Sequence, residues 1–69
     1  MYKITGRSGG VFREYREETR KAANATARSI FGHGWKSVSI VRESVHSRYV
    51  MVETTVAQWE RRDGQMVKV

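Results

Sequence analysis

The clearest periodicity in the chain lies between Thr19 and Gly32, where Ala22, Ala23, Ala27, Ile30 and Phe31 follow the i, i+4, i+7, i+8 spacing of one helical face. Thr19 offers an N-cap hydroxyl, and Gly32, followed by His33 and Gly34, offers a stop. An apolar stripe built mostly of alanine lets a helix approach a sheet closely. The opposite face presents Lys21, Ala25 and Arg28, flanked by Arg20 and Asn24.

Downstream the period changes from 3.6 to 2. Val38 and Ile40 alternate with Ser37 and Ser39, which predicts a half-buried strand from Trp35 to Val41. The polar stretch Glu43 to Ser47 reads as a connection to a longer strand, Arg48 to Arg61. There Val50, Val52, Thr54 and Val56 share one face, expected to be core, while Tyr49, Met51, Glu53, Thr55, Ala57 and Trp59 share the other. Asp63-Gly64 predicts a type I′ turn, because both central residues must take positive φ, and it pairs Trp59 to Arg62 with Gln65 to Lys68.

Upstream, two readings stay open. Tyr2 to Gly6 is strand-like and Ser8-Gly9-Gly10 is a turn, so Val11 to Glu17 returns as the second strand of a hairpin. The rival is a helix of about 22 residues, because Phe12, Tyr15, Thr19, Thr26 and Ile30 also keep helical spacing and Arg-Glu-Tyr-Arg-Glu-Glu favours helix. The hairpin is preferred. Both readings give one α+β domain over residues 1–69, a single helix packed on one face of an antiparallel sheet, in the order ββαβββ or βαβββ.

Composition narrows the function classes. The chain has 69 residues, with 13 Lys and Arg against 7 Asp and Glu, a net charge of +6, and neither Cys nor Pro. A domain of this size buries only about 60% of the surface its unfolded chain exposes. Without Cys there is no disulfide framework and no thiolate zinc site. No apolar h-region opens the chain and no run approaches the roughly 20 apolar residues of a membrane span, so a cytoplasmic, membrane-free protein is expected. The acceptor tripeptide Asn24-Ala25-Thr26 falls inside the helical pattern and is set aside. The charge is spread, with seven basic and three acidic groups in residues 1–34 and six and four in 35–69. Any cationic footprint must therefore be assembled by the fold.

Catalytic groups do not converge in the sequence. His33 and His46 lack a second histidine or carboxylate at helical ligand spacing. Glu14, Glu17 and Glu18 sit among Arg13, Arg16, Arg20 and Lys21, the pattern of ion pairs on a solvated face. Gly6-Arg7-Ser8-Gly9-Gly10 is glycine-rich and basic but lacks the Gly-Lys-Ser/Thr ending of a P-loop, so a hairpin turn is the better reading. No enzyme, metal or cofactor is expected. Two candidate surfaces remain. One is the basic helix face, Arg20, Lys21 and Arg28, joined by Arg13 or Arg16. The other is an uncovered sheet face where strand parity places Tyr49, Met51 and Trp59 among Lys36, Arg48 and Arg61, suited to stacking bases or to a homodimer contact that shields it.

The helix entering Phe31-Gly32-His33-Gly34, the strand through Val38-Ser39-Ile40 and the closing Arg61-Arg62-Asp63-Gly64-Gln65 hairpin resemble small phage-encoded anti-CRISPR proteins of the type I-F class. That resemblance, over about residues 19–66, implies a non-enzymatic protein that binds an RNA-guided surveillance complex and obstructs its target DNA, with Arg28 and Lys21 as contacts. Tyr2-Lys3-Ile4, Trp35 ahead of a strand and Arg48-Tyr49 are similar to dodecins, small flavin-binding oligomers, which implies Trp35 stacking on flavin. Val50 stands where that family has glutamine, and the Asp63-Gly64 hairpin is additional. Three functions are thus expected in descending order: a binding inhibitor of a nucleoprotein complex, a direct DNA-binding or RNA-binding protein with DNA preferred, and a flavin-binding oligomer.

Overall fold

The computed structural model describes residues 1–69, the side chain of His46 excepted, as β1 (Tyr2–Ser8), β2 (Val11–Glu17), α1 (Arg20–Phe31), β3 (Ser37–Ser47), β4 (Val50–Arg62) and β5 (Gln65–Lys68). The five strands form one antiparallel sheet in the spatial order β2-β1-β3-β4-β5, with α1 on one face. The expected α+β order ββαβββ is the observed one.

Val11–Glu17 is strand, not the start of a long helix. Gly9 takes the turn at φ +62, and β2 then pairs with β1 at every position from Ser8↔Val11 to Tyr2↔Glu17. Seven rungs of ladder outweigh the few tenths of a kcal/mol per residue by which Arg and Glu favour helix. The helix starts where predicted: the Thr19 hydroxyl accepts from the Ala22 amide at 3.1 Å. Gly32 itself keeps right-handed φ (−62), and the chain leaves the helix at Gly34, φ +97. Asp63 (φ 52) and Gly64 (φ 77) make the predicted turn.

The core lies between α1 and the centre of the sheet. Ala23, Ala27 and Ile30 of α1 pack with Ile4, Val38, Ile40 and Ala57, and Tyr2, Phe31, Trp35, Val56 and Trp59 close its rim. Alanine on the helix side admits close approach, as the sequence implied. Gly6 is fixed by a similar constraint: a Cβ there would lie 2.9 Å from the Trp35 ring, so the indole rests on bare backbone.

Two expectations about the long hairpin are corrected. Glu43 to Ser47 is the distal half of β3, and the connection is only Arg48-Tyr49. Val50 and Val52, expected in the core, are exposed. The ladder between β1 and β3 ends at Tyr2↔Arg42, and beyond it β3 and β4 pair only with each other as a projecting arm.

Strand parity in β4 is also broken. Ile40 pairs with Ala57 but Val41 pairs with Thr55, leaving Val56 as a bulge. Below the bulge Val52 and Thr54 oppose Ser44 and Arg42; above it Ala57 and Trp59 oppose Ile40 and Val38. Directly opposed residues share a face. The bulge therefore turns Ala57 and Trp59 toward α1, away from the face on which Met51 opposes Val45.

Candidate functional site

Three residues of α1, Arg20, Asn24 and Arg28, follow one another at i, i+4, i+8 and so line a single edge of the helix. With Trp59 of β4 and Met66 of β5 they enclose a groove of about 300 Å³. Arg20 and Arg28 stand about 12 Å apart along the helix axis, and Arg20 Nε donates to Asn24 Oδ1 at 3.1 Å. Trp59 is half-buried and packed on the core, and Met66 opposes Arg61 across the terminal hairpin. The lining of the groove combines two guanidinium groups with an indole and a thioether.

The helix is electrostatically one-sided. Residues 20–31 hold Arg20, Lys21 and Arg28 and no carboxylate. Two of those cations occupy the first turn, where the positive end of the helix dipole disfavours them by about 0.3–1 kcal/mol each. Lys21 and Arg28 are exposed and Arg20 is half-exposed.

The predicted sheet site is not assembled. Trp59 belongs to the helix side because of the Val56 bulge. Tyr49 and Arg48 form the turn at the tip of the arm, ten residues of β3 beyond Ser37 and therefore about 33 Å away along the strand. Lys36 is exposed at the start of β3, its backbone joined to Arg7 and Arg61. Arg61 is a structural pin. It is half-buried, donates from Nε to Trp35 O at 3.3 Å and from Nη2 to Phe31 O, and its guanidinium lies 4.0 Å from the Phe31 ring centroid. Those contacts satisfy the Phe31 carbonyl at the C-terminus of α1 and the Trp35 carbonyl in the segment after it, and commit the side chain to the fold.

The uncovered sheet face is polar where strands are central. Glu43 and Glu53 oppose each other across β3 and β4, a repulsive pairing relieved by Arg16 (3.3 Å to Glu43) and Lys3 (3.1 Å to Glu53). The aromatic residues expected together on that face, Tyr49 and Trp59, are not brought together there. Trp35, the residue implied for flavin stacking, has its ring against Gly6 and the core.

His33 faces its own helix end, Nδ1 lying 2.8 Å from Ser29 O, and Glu17 Oε1 accepts from Thr26 Oγ1 at 3.0 Å. The His46 side chain lies outside the described residues. Among the described residues no group of three or more His, Cys, Asp or Glu is placed to hold a metal ion, and no helix is long and apolar enough to cross a membrane. The sequence pattern puts Asn24 at the flank of the basic helix face without making it a site residue, and gives Met66 no role. The spacing 20, 24, 28 was there to find Asn24, whereas Met66 needed both the Asp63-Gly64 register and the bulge. No protein family, no curated protein and no solved structure matches this chain.

Proposed function

We propose that this chain is a non-enzymatic binding protein that engages nucleic acid, free or held in a nucleoprotein complex, through α1 and the groove beside it. The observation that carries the reading is the joining of Arg20, Asn24 and Arg28 with Trp59 and Met66 in one groove. Guanidinium groups bind phosphate oxygens in fork geometry, and an indole in the lining gives a base a surface on which stacking is worth about 1–3 kcal/mol. Asn24, with donor and acceptor, faces the same space. Cations held at the unfavourable end of a helix suit a task other than stability.

Titration with fluorescently labelled single-stranded and duplex oligonucleotides tests this. Single strands should bind, with log K falling against log salt at a slope of about −0.7 per phosphate contacted. Reversal of Arg20 and Arg28 to Glu should abolish binding, and Trp59→Phe should retain more of it than Trp59→Ala. Binding unchanged by the double reversal would overturn the proposal.

A second reading, inhibition of an RNA-guided surveillance complex, is favoured by the exposed Lys21 and Arg28 together with the apolar arm tip, where Tyr49 is 88% exposed. Exposed Val45, Val50 and Met51 beside Tyr49 offer aliphatic surface, which suits a protein partner better than a phosphate backbone. The purified complex should then bind this chain and lose target DNA, and the double reversal of Lys21 and Arg28 to Glu should restore DNA binding.

A further inference from the structure

We infer that β2 is a self-pairing edge, which joins two copies of this chain in an antiparallel β2–β2 ladder centred on Tyr15. One side of β2 pairs with β1 through seven consecutive rungs without a bulge; the other side has no strand beside it. Natural edges are usually blunted by shortness, proline, a bulge or a cover. The opposite edge, β5, has only four residues. β2 is longer, contains no proline, and exposes Val11 (63%), Phe12 (59%) and Tyr15 (38%). Charged side chains alone guard it.

Those charges are ordered. A closed two-fold contact between antiparallel strands has its axis normal to the sheet, so opposed residues must face the same way. Since side chains alternate, that condition allows only registers in which one residue meets its own copy. Centring on Arg13, Glu14 or Arg16 sets like charges together on the axis. Centring on Tyr15 instead opposes Arg13 to Glu17 of the other copy and Glu14 to Arg16, each pair twice by symmetry, with tyrosine against tyrosine between them. Arg16 is engaged with Glu43 through Nε, which leaves its Nη groups for the facing carboxylate. Centres at Val11 or Phe12 leave at most three rungs within the strand, and among the longer registers the charges select this one. Both helices, and both grooves, then lie on the same face of one continuous sheet.

Sedimentation equilibrium across a concentration series, without nucleic acid, tests the inference separately from the groove. The wild-type chain should be a dimer dissociating on dilution. Glu14→Arg alone and Arg16→Glu alone each oppose like charges and should sediment as monomers; Glu14→Arg should keep the wild-type circular dichroism, whereas Arg16→Glu also gives up the ion pair to Glu43 and is read against its own recovery in the mixture. An equimolar mixture of the two restores both pairs and should dimerise, as should the single chain carrying E14R and R16E together. A wild-type monomer throughout, or a dimer indifferent to either reversal, would overturn it; so would failure of the folded mixture to associate. None of these results depends on whether the groove binds nucleic acid.

Discussion

The near and far halves of the β3–β4 hairpin carry the same alternation of aliphatic and polar residues, and the structure treats them in opposite ways. In the near half Val38, Ile40 and Ala57 are buried; in the far half Val45, Val50, Met51 and Val52 are exposed. The difference is coverage. A helix of 12 residues reaches about 18 Å, whereas the 13 residues of β4 reach about 43 Å. α1 touches β1, β3 and β2, and among the described residues the part of the hairpin past Arg42 has neither a helix above it nor a third strand beside it. Period-2 alternation marks a face able to be buried, and a second layer decides whether it is.

The contrast is sharpest in stability. Ile40→Ala, at a side chain with no exposed surface, should cost about 2–5 kcal/mol, whereas Val52→Ala on the arm should change stability by no more than about 0.5 kcal/mol. Urea denaturation of both variants measures the gap, and equal costs would mean that the arm is covered in solution. Arg61→Met should follow, at about 1.5–3 kcal/mol, since it strips a charged donor from the half-buried carbonyls of Phe31 and Trp35. Its neighbour Arg62, in an exposed pair with Glu60, should lose at most about 1 kcal/mol on the same change. Gly6→Ala should cost about 1–3 kcal/mol by driving a methyl group into the Trp35 ring, and combining it with Trp35→Leu should recover part of the loss.

The same comparison explains which parts of the fold were legible in the sequence. The helix, its Thr19 cap, the β1–β2 hairpin and the Asp63-Gly64 turn are set by local chemistry within a few residues, and all stand where the pattern put them. Val50 and Val52 looked like core because alternation is local, while the reach of α1 over the sheet is not. The Val56 bulge was illegible for a related reason. It is a pairing choice between β3 and β4, and no turn residue signals it; yet it reverses the face of every later residue in β4. Parity alone puts Trp59 on the uncovered face, and the bulge turns it to the helix side. Arg61 was legible as a cation, but its role as a pin depends on Phe31, thirty residues away.

The smallest effect expected separates the halves by dynamics. An isolated two-stranded hairpin is marginal in water, and past Tyr2↔Arg42 the arm is tied to the rest of the domain at its base, by the Glu43 amide bonded to Met1 O at 2.9 Å and by the ion pairs of Glu43 with Arg16 and of Glu53 with Lys3. Amides of Val45 and Met51 should therefore exchange hydrogen through local opening at a free energy well below that of global unfolding. Those of Ile4 and Ile40, central in the sheet, should exchange only when the whole domain opens. Exchange followed by NMR at increasing urea distinguishes the two, because global opening falls with denaturant and local opening hardly does. Full protection at the arm tip would require a surface laid over Val45, Tyr49 and Met51, and a chain carrying Glu14→Arg, deprived of β2 pairing, would show whether that surface belongs to a second copy joined through β2.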